Sequence, residues 1–136
     1  MKIYLAGAMS GVTWEEANEW RDDIIEYYYG QELDVNLEIF NPCLYVADGA
    51  FSSDDEDMKF DLYNLRHSDI MIVNWDADSI GTAIEIGVAK EHDIPIFVYT
   101  TDADRLYKMH PWVKNSAMRV FDNMADLLSH INSYWM

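Results

Sequence analysis

The amino-acid sequence predicts an α/β protein, a doubly wound parallel sheet of five strands with helices on both faces, built as one domain over residues 1–136. Three observations carry that reading. Short apolar runs alternate along the chain with longer stretches of helical periodicity. Two of the runs, "DIMIVNW" (69–75) and "IPIFVYT" (94–100), are apolar at successive positions, as strands covered on both faces are. Between the runs, Ser or Thr followed three residues later by Glu marks helix starts at Thr13/Glu16, Ser53/Glu56 and Thr82/Glu85.

Taken in order, "KIYLA" (2–6) is the first strand, and the glycines of "GAMSG" (7–11) turn the chain out of it. The helix "WEEANEWRDDIIEYYY" (14–29) follows, with Trp14, Ala17, Trp20, Ile24 and Tyr28 at helical spacing. "LEIF" (37–40) is the second strand, kept extended towards Asn41 because a residue before proline avoids helical backbone. Residues 43–53, "CLYVADGAFSS", read as a loop. The next helix, "DDEDMKFDLYNLRHS" (54–68), places Met58, Leu62 and Leu65 on an inner stripe and Asp57, Asp61 and Asn64 together on another face. The third strand, at 69–75, leads into the helix "GTAIEIGVAKEHD" (81–93), and the fourth, at 94–100, into a loop containing "MHPWVKNS" (109–116). "AMRVF" (117–121) is the fifth strand and "DNMADLLSHINSYW" (122–135) the last helix. The sequence contains no internal repeat, linker or low-complexity tract.

Of the residues, 9 are Lys or Arg and 25 are Asp or Glu, a formal net charge of -16. A field of that sign repels phosphate backbones and anionic lipid heads, which argues against nucleic acid and membranes as partners. The acids are spread through helices and loops, as on solvated faces. A single cysteine, Cys43, rules out an internal disulfide and suits a buried thiol in a reducing cytoplasm. The four histidines lack HxxH, HxH and HExxH spacing, so no metal is expected. No run approaches the roughly 18 apolar residues of a membrane helix, and a soluble intracellular protein is expected.

Ligands of a doubly wound sheet gather beyond the carboxyl ends of its strands. "GAMSG", "NWDADSIGTAIE" (74–85) and "TTDADRLY" (100–107) meet there. The first has neither the GxGxxG of a dinucleotide site nor the lysine of a phosphate-binding loop, which argues against an organic cofactor and against nucleoside triphosphate hydrolysis. Glu85, flanked by Ile84 and Ile86, then has two readings. As the last member of a capping box it is a helix cap, favoured by the dipole of the first turn. As a carboxylate in the ligand crevice, kept ionised by that dipole, it is a nucleophile.

The stretches "KIYLAGAMSG", "NP", "DLYNLRHSD" and "SIGTAIEIGVA", in this order and separation, resemble the nucleoside 2-deoxyribosyltransferase family over most of the chain. The resemblance implies a flavodoxin-like fold and an enzyme that cleaves the bond between sugar and nucleobase without metal or organic cofactor. It makes Glu85 the nucleophile at the anomeric carbon and Asp61, on the preceding helix, part of the acid and base chemistry. Such cleavage builds positive charge at the anomeric carbon and negative charge on the departing base, so it needs a carboxylate for the first and a proton donor for the second. A second base then accepts the sugar in transfer, or water in hydrolysis.

Ser79, six residues before Glu85, stands where the transferases carry aspartate, and is similar to the related deoxynucleoside 5'-monophosphate N-hydrolases, in which a serine there helps hold phosphate. Asp78 is the neighbouring alternative to the transferase aspartate. Ala8 and Ser10 depart from the serine and basic residue of the hydrolases' first loop. Tyr4 and Gly7 match the first-strand motif and are expected to line the pocket. The resemblance places Asn115 or Ser116 at the sugar's 5' end in a neighbouring subunit, so at least a homodimer is expected. Trp75 suits either stacking on a base or a core or subunit contact. The expected substrates are a nucleoside, or its 5'-monophosphate, and a free nucleobase. A catalytically silent nucleotide-binding protein that keeps the fold is the alternative of a different class.

Overall fold

The computed structural model describes residues 1–33 and 35–136. Its centre is a five-stranded sheet in which every pairing is parallel. The strands are β1 (Lys2–Ala6), β2 (Glu38–Phe40), β3 (Ile70–Asn74), β4 (Ile96–Tyr99) and β5 (Arg119–Phe121), in spatial order β2-β1-β3-β4-β5. Helices connect them: α1 (Trp14–Tyr29), α2 (Pro42–Ala47), α3 (Asp54–Arg66), α4 (Ile80–Glu91), α5 (Ala103–Tyr107), α6 (Pro111–Ser116) and α7 (Met124–Tyr134). The doubly wound, flavodoxin-like architecture read from the sequence is the observed one.

Two core layers follow from the alternation of strand side chains. Ile3 and Leu5 of β1, with Ile70 and Ile72 of β3, pack beneath α1 and α7 against Trp20, Ile24, Leu127 and Ile131. Tyr4 and Ala6, with Met71 and Val73, face the other way, beneath α3, α4 and α6, against Leu65, Ile86 and Val113. Each such side chain, fully withdrawn from water, contributes roughly 1.5–3 kcal/mol. Burial on both faces is why β3 and β4 carry almost unbroken apolar sequence. Strand order reverses between β1, which is followed by β2 on one side, and β3 on its other side. That switch point opens a crevice at the carboxyl ends of β1 and β3.

Local details depart from the sequence expectations. The loop expected at 43–53 begins as α2, because Asn41 caps it through Oδ1, which accepts from the Cys43 amide at 3.0 Å, and Pro42 occupies its first turn. Similarly, α5 and α6 lie where a continuous loop was expected, capped by Asp102 and His110. The expected box at Thr13/Glu16 closes in both directions, whereas at Ser53 only half forms: Ser53 Oγ accepts from the Glu56 amide, while the Glu56 carboxylate takes the Ser52 hydroxyl at 2.6 Å. The box at Thr82/Glu85 does not exist. Ser79 is the cap, its Oγ accepting from the Thr82 amide at 3.2 Å, so the cap lies three residues earlier, α4 starts at Ile80 and Glu85 lies in its second turn. In α3 the inner stripe is also rotated: Met58 is exposed, while Asp57, Asp61 and Asn64 are half-buried beside Leu65.

Candidate active site

A cavity of about 750 Å³ fills the crevice. Gly7, Met9, Ser10 and Val12 of the loop after β1 form one side, Asp78 to Thr82 at the start of α4 the other, and Cys43, Val46 and Asp57 close it from α2 and α3. Glu85 lies in its wall one turn into α4. Among the described residues, this lining holds three carboxylates, Asp57, Asp78 and Glu85, and no Lys, Arg or His.

Several polar groups in and behind the cavity wall lack partners. Tyr4 Oη, Glu85 Oε2, Asp57 Oδ1, Asp61 Oδ1 and Thr82 Oγ1 are all buried without a hydrogen bond. Orphaned buried polar atoms each cost about 1–3 kcal/mol and are rare, so a cluster of them marks this corner of the fold as a candidate ligand site. Tyr4 is positioned by its strand: it faces α3 and α4 with its ring stacked on Phe40, centroids 5.2 Å apart. Its hydroxyl sits beside the Glu85 carboxylate, close enough to shift its titration.

Burial dominates the electrostatics. It pushes the Glu85 carboxyl up to about 7, against the opposing pull of Tyr4 and the Arg21 guanidinium. The dipole expected to keep this group ionised is therefore outweighed by desolvation, and Glu85 is poised to titrate near neutrality. Asp61 is pushed further, to about 8, by burial first and then by the charges of Asp57 and Glu85, so at neutral pH it holds a proton. Burial, then Glu85 and Asp61, push the Tyr4 phenol well above its ordinary range, and it stays a hydrogen-bond donor.

Arg21, missed in the sequence, is fully buried. Its Nη2 donates to the Gly7 carbonyl at 3.0 Å, Nε to Leu5 at 3.4 Å, and Nη1 to the Ala17 carbonyl of its own helix. A guanidinium sunk among carbonyls leaves its positive charge to be offset by anions nearby, and Glu85 is one of them. The same contacts fix the backbone at Gly7, where a Cβ would lie 2.7 Å from the Trp20 ring. Both Arg21 and the inward acids of α3 had a visible signal. Ala17, Trp20, Arg21, Ile24 and Tyr28 keep one helical stripe, as do Asp57, Asp61, Asn64 and Leu65.

The other candidates lie as follows. Gly7, Asp78 and Ser79 line the cavity with Glu85, and Ser10 does too, while Ala8 faces a separate, smaller hollow. Asp78 is exposed at the mouth and paired with Arg105 Nη2 at 2.6 Å. Asp61 adjoins Glu85 but lies behind the lining, with Asp57 in front of it. Trp75 is a core residue 6% exposed, outside the main cavity. Asn115 and Ser116, at the end of α6, do not line the cavity of their own chain, and Ser116 Oγ donates to the Trp112 carbonyl at 2.5 Å. Among the described residues no His, Cys, Asp and Glu cluster suits a metal ion, and no helix is long and apolar enough to cross a membrane.

The family model described as nucleoside 2-deoxyribosyltransferase matches residues 3–128. Sequence comparison with curated proteins gave no significant match. Among solved structures, the fold is similar to a 2-desoxiribosyltransferase from Leishmania mexicana, with TM-score 0.72 at 16% identity over 99% of each chain. It is similar to a 2-deoxyribosyltransferase from Bacillus psychrosaccharolyticus, with TM-score 0.69 at 18% identity over 93% of this chain and 90% of the other. A CMP N-glycosidase from Clostridium botulinum has TM-score 0.64 at 18% identity, covering 98% of this chain and 99% of its own. At these identities the likeness speaks for the fold.

Proposed function

Because the chain belongs to the nucleoside 2-deoxyribosyltransferase family, we propose that it cleaves the N-glycosidic bond of deoxynucleosides through a glycosyl-enzyme on Glu85 and passes the 2-deoxyribosyl group to another nucleobase. The observation that carries this reading is the Glu85 carboxylate, buried and unpartnered in the wall of the switch-point cavity. One oxygen attacks the anomeric carbon as the bond to the base breaks; the electron pair leaves with the base, and a protonated carboxyl of α3 supplies its proton. The second base then displaces Glu85 from the anomeric carbon and returns a proton to α3. Tyr4 donates to the Glu85 carboxylate and steadies it between the two steps.

The lining also bears on the choice of substrate. With three carboxylates and no cation among the described lining residues, the cavity repels a 5'-phosphate dianion and favours an uncharged nucleoside. The second reading, a 5'-monophosphate N-glycosidase transferring to water, rests on Ser79 at the mouth of the cavity. Chromatography of free base released from nucleosides and their 5'-monophosphates, each with and without a second base, tests both. We expect release from deoxynucleosides and a mixed nucleoside product when a second base is present. No turnover of any substrate would leave a silent binding protein. If Ser79 or Ser116 holds phosphate, alanine at either raises the Michaelis constant for monophosphates more than for nucleosides; equal effects reject that role.

The working unit we propose is at least a dimer. Ile80 and Ile84 of α4, with Met58 of α3 and Trp112 of α6, leave large apolar side chains exposed on adjacent helices. Isologous pairing covers them, and Asn115 and Ser116, away from their own cavity, then reach a neighbour's. Mixing Glu85→Gln with Ser116→Ala is therefore expected to restore activity after subunit exchange, since one site of each mixed dimer has both residues intact. A fully active monomer, or confirmed exchange without recovery, rules the shared site out.

A further inference from the structure

We infer that Asp57 is a further catalytic residue, the carboxyl that meets the base, and that it forms with Asp61 a pair sharing a single proton. The inference rests on the functional reading above and deepens it. Asp57 and Asp61 stand one turn apart on the inward face of α3, each with Oδ1 buried and unpartnered. Neither buried oxygen has a partner, and burial with the like charge of Asp57 pushes the Asp61 carboxyl up, so the pair holds one proton in place of two full charges. Of the two, only Asp57 lines the cavity. A base seated over Glu85 therefore meets Asp57 first, with Asp61 behind it.

The charges around the pair favour one proton rather than two or none. Asp54 on the same helix and Glu85 across on α4 are acidic neighbours, Tyr4 of β1 and Cys43 of α2 add polar groups that stay protonated, and Arg21 of α1 is the one positive charge among the groups acting on the pair. Burial and the acids oppose the dianion, whereas Arg21 opposes full protonation. When the carbon–nitrogen bond breaks, the shared proton passes from Asp57 to the departing nitrogen, leaving both carboxyls ionised. The acceptor base, attacking the sugar, gives up its N–H proton to Asp57 and restores the pair. No oxidant, metal or third reactant enters.

The test is Asp57→Asn, compared with wild type on natural deoxynucleosides and on 4-nitrophenyl 2-deoxyriboside, whose leaving group needs no proton. We expect kcat to fall at least about 100-fold on the natural substrates and within about fivefold on the nitrophenyl probe. In parallel, carbon-13 NMR of the ligand-free protein follows the Asp61 carboxyl, which titrates at about 8 in the wild type and moves to lower pH in Asp57→Asn as the like charge is removed. Equal loss on both substrates, or turnover unchanged on both, overturns Asp57 as the donor. An unmoved Asp61 titration overturns the shared proton, and this readout does not depend on turnover. Wild-type protein inactive on every substrate would instead overturn the functional reading. A thermal melt of Asp57→Asn confirms that the folded protein is compared throughout.

Discussion

Glu85→Gln is expected to lose at least about 10³-fold in both transfer and base release, and at the same time to melt higher than wild type at about pH 8 to 9. The amide keeps the size and one acceptor oxygen but cannot form the ester to the anomeric carbon. The gain in stability follows from where the carboxyl sits. Folding raises it from 4.5 to about 7, so between those values the folded protein holds a proton that the unfolded chain has released. Its contribution is thus fully present below 4.5 and is lost as the pH rises through 7, which glutamine escapes. The difference at alkaline pH is on the order of 3 kcal/mol. Glu16→Gln and Glu56→Gln, at helix starts outside the cavity, serve as controls and leave turnover within about twofold. Wild-type turnover in Glu85→Gln sinks the nucleophile, and a lower melt at alkaline pH sinks the account of its burial.

Asp61→Asn is expected to slow cleavage by about 10² to 10⁴, most for bases that leave poorly, because those depend most on proton donation. The wild-type rate should fall on the alkaline side around the pH at which the last proton leaves the α3 carboxyls, about 8, since it is the protonated form that acts. In Asp61→Asn this limb moves or disappears. Slowing that is uniform across leaving groups, with the alkaline limb unmoved, would assign Asp61 to binding instead.

How much of this was legible in the sequence depends on length and on charge. Strands β1, β3 and β4 and helices α1, α3, α4 and α7 could be read because burial on one or two faces imposes a period, and each is long enough to display it. Helices α2, α5 and α6 are five or six residues long, under two turns, and have no period to show. Their caps, Asn41, Asp102 and His110, were the remaining signal. Within α3, Met58 and the aspartates exchanged places because apolar residues are assigned inward by default. That default fails where the interior borders a cavity lined by carboxylates. The same default concealed Arg21 and the forward position of Asp57. Glu85 was singled out by its setting alone: the local T-x-x-E pattern pointed to a cap that Ser79 in fact supplies.

The interior position of β1 bears on how this chain is made. Its residues pair with β2 through Lys2 and Glu38 and with β3 through Ile3 and Ile70, so β1, once synthesised, waits for partners some 36 and 67 residues downstream. Order of synthesis is not order of assembly, and loop closure on that scale precedes any reward from pairing. Every side chain given a role in bond cleavage, from Tyr4 to Glu85, has been synthesised before β4 emerges to cover the open edge of β3. During that interval the apolar edge of β3 is available to other nascent chains. The last third of the chain, β4 to α7, holds none of the side chains given a role in bond cleavage but closes that edge, which ties productive folding in a crowded cell to its arrival.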